Sequence, residues 1–165
     1  MKRAVPEDTP DDRIEEMYAC LLDYYGSHCM IKTRPYPGIP ELLHELRQLG
    51  YKTAVISNKA DAAVRELAEK MFAGCFDYAI GATEGIKLKP DRAMIDIALE
   101  KLSICPDEAV YVGDSQVDIQ TAENAQMDCI SVTWGFRDRN VLIERGASVL
   151  ADTPEQILEI IKGMG

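Results

Sequence analysis

At 165 residues, with 47% apolar and 28% charged side chains, the chain has the size and balance of a single globular domain, which excludes collagen, coiled-coil arrays and outright disorder. Eighteen Lys and Arg against 28 Asp and Glu leave a formal charge of -10, so no broad cationic face exists to neutralise a nucleic-acid backbone or an anionic membrane. No window approaches the roughly 18 consecutive apolar residues of a spanning helix, and the N-terminal Met-Lys-Arg-Ala-Val-Pro-Glu-Asp lacks the apolar stretch of a secretory signal, so a cytoplasmic location is expected. The five cysteines, Cys20, Cys29, Cys75, Cys105 and Cys129, are odd in number and form no C-x-x-C pair. Reduced, mostly packed thiols are the expectation.

In chain order, Asp8-Thr9-Pro10-Asp11-Asp12 reads as a helix start. Ile14, Met17, Tyr18, Leu21, Leu22 and Tyr25 then recur at helical spacing, with Gly26 as the stop. Arg34-Pro35-Tyr36-Pro37-Gly38 reads as a hinge. Beyond it, helices alternate with short apolar runs. A helix from about Pro40 carries Leu42, Leu43, Leu46 and Leu49 and closes at Gly50, and a strand follows at 53–56. Next come a helix through Val64, Leu67 and Met71, a strand at 77–80, a helix at 91–102 and the most apolar strand at 109–112. A helix at 117–125, a strand at 129–132, a helix at 140–144, a strand at 148–150 and a helix at 154–162 complete the order. This is a βα alternation, so an α/β fold with a mostly parallel, two-sided sheet is expected, with ligands beyond the carboxyl ends of the strands.

Residues placed at those ends are Ser57-Asn58-Lys59, Thr83-Glu84, Gly113-Asp114-Ser115 and Thr133-Trp134-Gly135, with the Lys87-Leu88-Lys89-Pro90 loop passing over the same rim. The set suits a phosphate beside a hard divalent cation. Ser57 and Asn58 offer hydrogen-bond donors to phosphate, Lys89 offers compensating charge, and Asp114 with Asp118 offers the one or two carboxylates that magnesium takes. In Gly-Asp-Ser-x-x-Asp, Gly113 permits a sharp turn and Asp118 follows Asp114 by one helical turn, so both carboxylates can face one volume. Taken singly, Ser57-Asn58 also fits a helix N-cap, Lys89 a solvated charge and Asp118 a first-turn residue favoured by the helix dipole. Agreement of three strand ends favours the joint reading. Trp134 is expected to pack as a core indole rather than to shape the pocket, and Met71 and Met94 to serve as packing.

At these residues the sequence resembles the haloacid dehalogenase superfamily, and within it the phosphoglycolate-phosphatase-like hydrolases. Tyr36-Pro37-Gly38-Ile39 through Val55-Ile56-Ser57-Asn58-Lys59 matches the family's second motif and its approach, Lys89-Pro90-Asp91 the third, and Val112-Gly113-Asp114-Ser115-Gln116-Val117-Asp118 the fourth. The resemblance spans about residues 36–162, and Val132-Thr133-Trp134-Gly135 and Gly146-Ala147 also fit the subgroup. It implies a Rossmann-like core over 37–165, with 1–36 a remnant of a helical cap and hinge. It further implies a magnesium-dependent hydrolase of small organic phosphate monoesters. Ser57 and Asn58 would bind the phosphate, Lys89 would bind it and act catalytically by neutralising the nucleophile and the transferring group, and Asp114 and Asp118 would hold Mg2+.

The sequence departs from the family at its start. Members carry an Asp-x-Asp motif after a first strand, the first aspartate attacking phosphorus and the second serving as acid and base. The early aspartates here, Asp8, Asp11, Asp12 and Asp23, follow no strand-like run. The chain therefore reads as an N-terminally shortened member of low or no activity on its own. The missing strand would lie between those at 53–56 and 109–112, leaving a gap to be closed by rearrangement, by a dimer or strand exchange with a partner, or by the rest of a longer protein. Two other readings stay open: a non-catalytic phosphate- or partner-binding product, and a phosphomutase or phosphotransferase using the same motifs.

Overall fold

The computed structural model describes residues 4–28 and 31–164 and divides into two units, Met1–Arg34 and Pro35–Gly165. The first is dominated by α1 (Asp11–His28). It begins where the acidic run predicts, the Ile14 N–H donating to Pro10 O. It does not stop at Gly26. The Tyr24 ring stacks on His28 at 3.8 Å, His28 Nδ1 lies 2.8 Å from Tyr24 O, and these contacts carry the helix a further half turn. Of its expected apolar face, Met17, Tyr18 and Leu21 are exposed, whereas the side chains of Leu22 and Tyr25 lie outside the described residues, as does Cys29.

The second unit runs α2 (Ile39–Gln48), β1 (Ala54–Ala60), α3 (Asp61–Met71), β2 (Tyr78–Ala82), α4 (Ala93–Leu102), β3 (Val110–Gly113), α5 (Gln116–Ala125), β4 (Asp128–Val132), α6 (Arg139–Glu144), β5 (Val149–Ala151) and α7 (Pro154–Met164). A 3-10 turn at Pro106–Glu108, not anticipated from the sequence, leads into β3. The α/β alternation is as expected, and every ladder is parallel. Leu42, Leu43 and Leu46 bury one stripe of α2, but Leu49 follows the last turn and is exposed, because Gly50 reverses the chain there and Tyr51 N–H donates back to Leu46 O.

The strands form two sheets, β1-β2 and β3-β4-β5. In the three-stranded sheet, Ile130, Val132 and Ala151 pack on one side against Leu42, Leu46, Ile157 and Leu158 of α2 and α7. On the other side Tyr111 packs with Ile95 and Leu99 of α4 and Ala122 and Ala125 of α5, and Ile56 of β1 joins that cluster. Helix α4 thus bridges the two sheets. Among the described residues no strand pairs with the remaining edge of β1 or of β3, and the division falls where the family resemblance puts its first strand. Val112, in the middle of β3, is 42% exposed, while Ile130, its register partner on β4, is 0% exposed. That contrast marks the uncovered edge.

Trp134 packs against the α2/α7 cluster as expected, and Met94 is fully buried. The described cysteines Cys20, Cys75, Cys105 and Cys129 are free thiols. No helix among the described residues is long and apolar enough to cross a membrane.

Candidate phosphate and metal site

Strand β3 delivers the chain into Gly113 and then a turn into α5. Gly113 is required by a close approach: a Cβ there would collide with Asp118 Cβ and lie 2.6 Å from its Cγ. The same holds for Gly135, where a Cβ would collide with Asp114. Two glycines therefore let the two carboxylate-bearing segments close on β3 and on the loop after β4.

Asp118 is 5% exposed and accepts four hydrogen bonds. Its Oδ1 receives Lys89 Nζ at 2.7 Å and Tyr111 Oη at 3.2 Å, and its Oδ2 receives Ser115 Oγ at 2.6 Å and Asp114 N–H at 3.2 Å. These occupy the roughly four lone-pair sites of a carboxylate. Burial alone would raise the Asp118 carboxyl, but the Lys89 charge and the donated bonds outweigh it and hold the group below the usual carboxylate range. Tyr111 Oη also accepts from Lys89 Nζ at 3.1 Å, and burial, with the neighbouring Asp118 charge, pushes the phenol well above its ordinary value. Two of the three ammonium protons of Lys89 are committed in this triangle. The third has no acceptor among the described residues.

The Lys89 loop is anchored to β1 by Asn58, whose Oδ1 accepts the Lys89 N–H at 2.8 Å and whose Nδ2 donates to Lys89 O at 3.1 Å. Asn58 was expected just beyond a strand. Instead β1 extends to Ala60 with a register shift between Ile56 and Ala60, so Ser57 and Asn58 lie on an irregular stretch of the strand itself. Neither caps a helix, since α3 begins after Ala60. The Ser57 hydroxyl oxygen accepts Lys59 N–H at 3.2 Å within this bulge, which leaves its proton to donate. Asn58→Ala removes both tethers of the Lys89 loop. It is expected to lower stability by about 1 kcal/mol, at the lower end for two exposed bonds, measured by urea denaturation.

Asp114 is half-buried. Its Oδ2 accepts Phe136 N–H at 2.9 Å and its carbonyl accepts Arg137 N–H at 3.2 Å, while Oδ1 has no hydrogen-bond donor among the described residues. That free oxygen is the atom of the pair suited to a hard cation. Among the described residues no three His, Cys, Asp or Glu converge as a ready metal cage. Direct ligation by Asp118 would require breaking one of its four bonds.

Lys89, Asp118, Asp114 and Asn58 are thus joined by direct contacts, and Ser57 adjoins them through Asn58. Other rim residues go elsewhere: Thr133 Oγ1 donates to Asp152 Oδ1 at 2.7 Å, Thr83 Oγ1 donates to Gly81 O at 3.3 Å, and Lys87 pairs with Asp91 at 3.3 Å. Sequence reasoning missed Tyr111, and it gave Ser115 no role. Tyr111 carried only the weak signal of a hydroxyl on a core strand position, whereas Ser115 stood within the quoted motif.

Comparison with known proteins gives a consistent picture. The sequence model of a family described as "Haloacid dehalogenase-like hydrolase" matches residues 1–132, which includes the N-terminal helix. A phosphoglycolate phosphatase of Pseudomonas putida is 29% identical over 159 residues, covering 95% of this chain and 55% of that protein. An N-acetylmuramic acid 6-phosphate phosphatase of Pseudomonas aeruginosa is 26% identical over 156 residues, covering 93% of this chain and 68% of that protein. A solved structure from Lactobacillus delbrueckii subsp. bulgaricus, which carries a provisional phosphoglycolate phosphatase assignment, superposes with a TM-score of 0.90 at 44% identity, covering 95% of this chain and 66% of that one. The chain spans between about half and two thirds of the length of these relatives.

Proposed function

This chain belongs to the haloacid dehalogenase-like hydrolases, and from that premise we propose that its second unit is the phosphate- and magnesium-binding part of a phosphatase acting on small organic phosphate monoesters. Relatives named for phosphoglycolate and for N-acetylmuramic acid 6-phosphate support this substrate class. The observation that carries it is the contiguous contact set Asn58–Lys89–Asp118–Asp114, held along the irregular stretch of β1 and at the carboxyl end of β3 with one ammonium proton and one carboxylate oxygen uncommitted.

In this reading Asp114 would hold Mg2+, which when bound would supply charge neutralisation of the phosphoryl oxygens. Lys89 donates its third proton to a phosphoryl oxygen, and Ser57 donates its hydroxyl proton to another. Asp118 is the counter-ion that fixes the Lys89 ammonium, with Tyr111 and Ser115 fixing Asp118. Such groups act by positioning and by stabilising charge in the transferring group. They supply no attacking atom. We assign that atom to a carboxylate on a strand seated between β1 and β3, whose facing edges have no described partner, delivered by sequence outside this chain.

Turnover of p-nitrophenyl phosphate with and without Mg2+ tests the assignment. The chain alone should hydrolyse it at background, and an added peptide of four apolar residues followed by Asp-x-Asp should restore Mg2+-dependent turnover. Substantial Mg2+-dependent turnover by the chain alone would overturn the outside carboxylate. Failure of the chain to bind orthophosphate in Mg2+ by calorimetry would overturn the site.

A further inference from the structure

Lys89 is tied at both ends. Its backbone is bound to β1 by Asn58, at 2.8 Å through the N–H and 3.1 Å through the carbonyl. Its ammonium is taken by two groups that β3 and α5 carry, Tyr111 Oη at 3.1 Å and Asp118 Oδ1 at 2.7 Å. Between those ends runs a flexible four-carbon stem. A single acceptor would fix how far the ammonium reaches and let it swing about that one bond. A second acceptor also fixes where its remaining N–H points.

The hydroxyl that provides the second acceptor stands at the edge of an apolar cluster. Tyr111 is 9% exposed, and it packs with Ile95, Leu99, Ala122 and Ala125. Phenylalanine would fill the same volume there with no polar group to satisfy. The Lys89 ammonium lies 5.8 Å from the ring centre and 3.1 Å from Oη, so it meets the hydroxyl end of the ring and not its face. A carboxylate can only accept and an ammonium can only donate. The phenol must therefore give its proton to Asp118 Oδ1, at 3.2 Å, and accept from Lys89. With its ring packed in the core between α4 and α5, this corner of the triangle is held more firmly than the lysine stem it receives.

Resting on the phosphatase reading above, we propose that Tyr111 is a positioning residue whose hydroxyl, as second acceptor for the Lys89 ammonium, aims the remaining Lys89 proton at the phosphoryl group. Asp118 supplies the counter-charge and Tyr111 supplies the direction. The hydroxyl acts through Lys89 alone, so its removal weakens anion binding while the fold and the Lys89–Asp118 pair persist.

Calorimetric titration of the full chain with orthophosphate in Mg2+, together with nitrogen NMR of the chain carrying isotope-labelled lysine, tests this. The Lys89 ammonium signal is the one absent from Lys89→Met, and in the parent its two hydrogen bonds should slow proton exchange enough for it to be seen. Tyr111→Phe should bind orthophosphate about tenfold more weakly, the scale of one charge-assisted hydrogen bond, and should lose or broaden that signal. Leu99→Val loosens the same apolar cluster and keeps the hydroxyl. It should lower the melting temperature and leave both the affinity and the Lys89 signal at the parent's values. The proposal is overturned if Tyr111→Phe keeps the parent's affinity or its Lys89 signal, or if the parent shows no such signal. It is equally overturned if Leu99→Val weakens orthophosphate binding as much as Tyr111→Phe, which would reduce Tyr111 to packing. A parent that binds no orthophosphate overturns the phosphate site itself, a result distinct from a loss confined to Tyr111→Phe.

Discussion

Asp118→Ala is expected to destabilise the folded chain by about 3–5 kcal/mol at neutral pH, the range for removing one partner of a buried ion pair. The side chains of Lys89 and Asp118 are 14% and 8% exposed, so solvent screens the pair little. The loss is asymmetric. Without Asp118, the Lys89 ammonium keeps only Tyr111 Oη among its two described side-chain acceptors, and Ser115 Oγ and the Asp114 N–H lose theirs. In Lys89→Met the carboxylate still accepts from Tyr111, Ser115 and Asp114, so the loss should be smaller. The pH dependence has a fixed sign: the folded carboxyl lies below its ordinary 3.8. Its contribution is therefore complete above that value and disappears as pH falls through the lower, folded one. Urea denaturation of parent and Asp118→Ala should show the same difference at pH 7 and pH 5 and a shrinking one below about pH 4. A difference under about 1 kcal/mol at pH 7 would show that the pair is not buried in solution.

Gly113→Ala and Gly135→Ala are expected to lower stability by about 2–3 kcal/mol each, the upper part of the range for overpacking. In both, the added methyl meets the Cβ of an aspartate, not the far end of a flexible chain, so backbone must move. Their functional consequences differ. Gly113→Ala displaces Asp118 and with it the Lys89 ammonium, so orthophosphate affinity should fall. Gly135→Ala displaces Asp114, so the Mg2+ dependence of that affinity should fall first. Gly163→Ala is the control. Nothing lies within 4 Å of a Cβ there and Gly163 is within α7, so alanine should stabilise the chain by up to about 0.5–1 kcal/mol. Thermal melts of the three variants separate steric collision from a general effect of alanine.

Much of this molecule was legible in the order of its residues. Apolar runs bounded by Gly, Pro and acidic residues located every α-helix and strand of the second unit to within a few positions, because period and punctuation are local properties. Asp114, Asp118 and Lys89 were legible as a group, because in parallel α/β folds the residues after strands share a rim. The extent of β1 was not legible, since an irregular stretch across Ser57 and Asn58 is decided by pairing with β2, at Ala60 with Ala82. The end of α1 was missed for a similar reason, the Tyr24–His28 stack outweighing Gly26.

What sequence alone determined is the kind of groups present and the order in which the chain presents them: hydroxyl and amide, then ammonium, then two carboxylates. The tertiary structure decided how those groups divide their work. A carboxylate has about four acceptor sites, and whether donors or a metal fill them depends on what packs within 3 Å. Tyr111, Ser115 and Lys89 fill those of Asp118, while Asp114, anchored by Phe136 on one oxygen, has no described donor to the other.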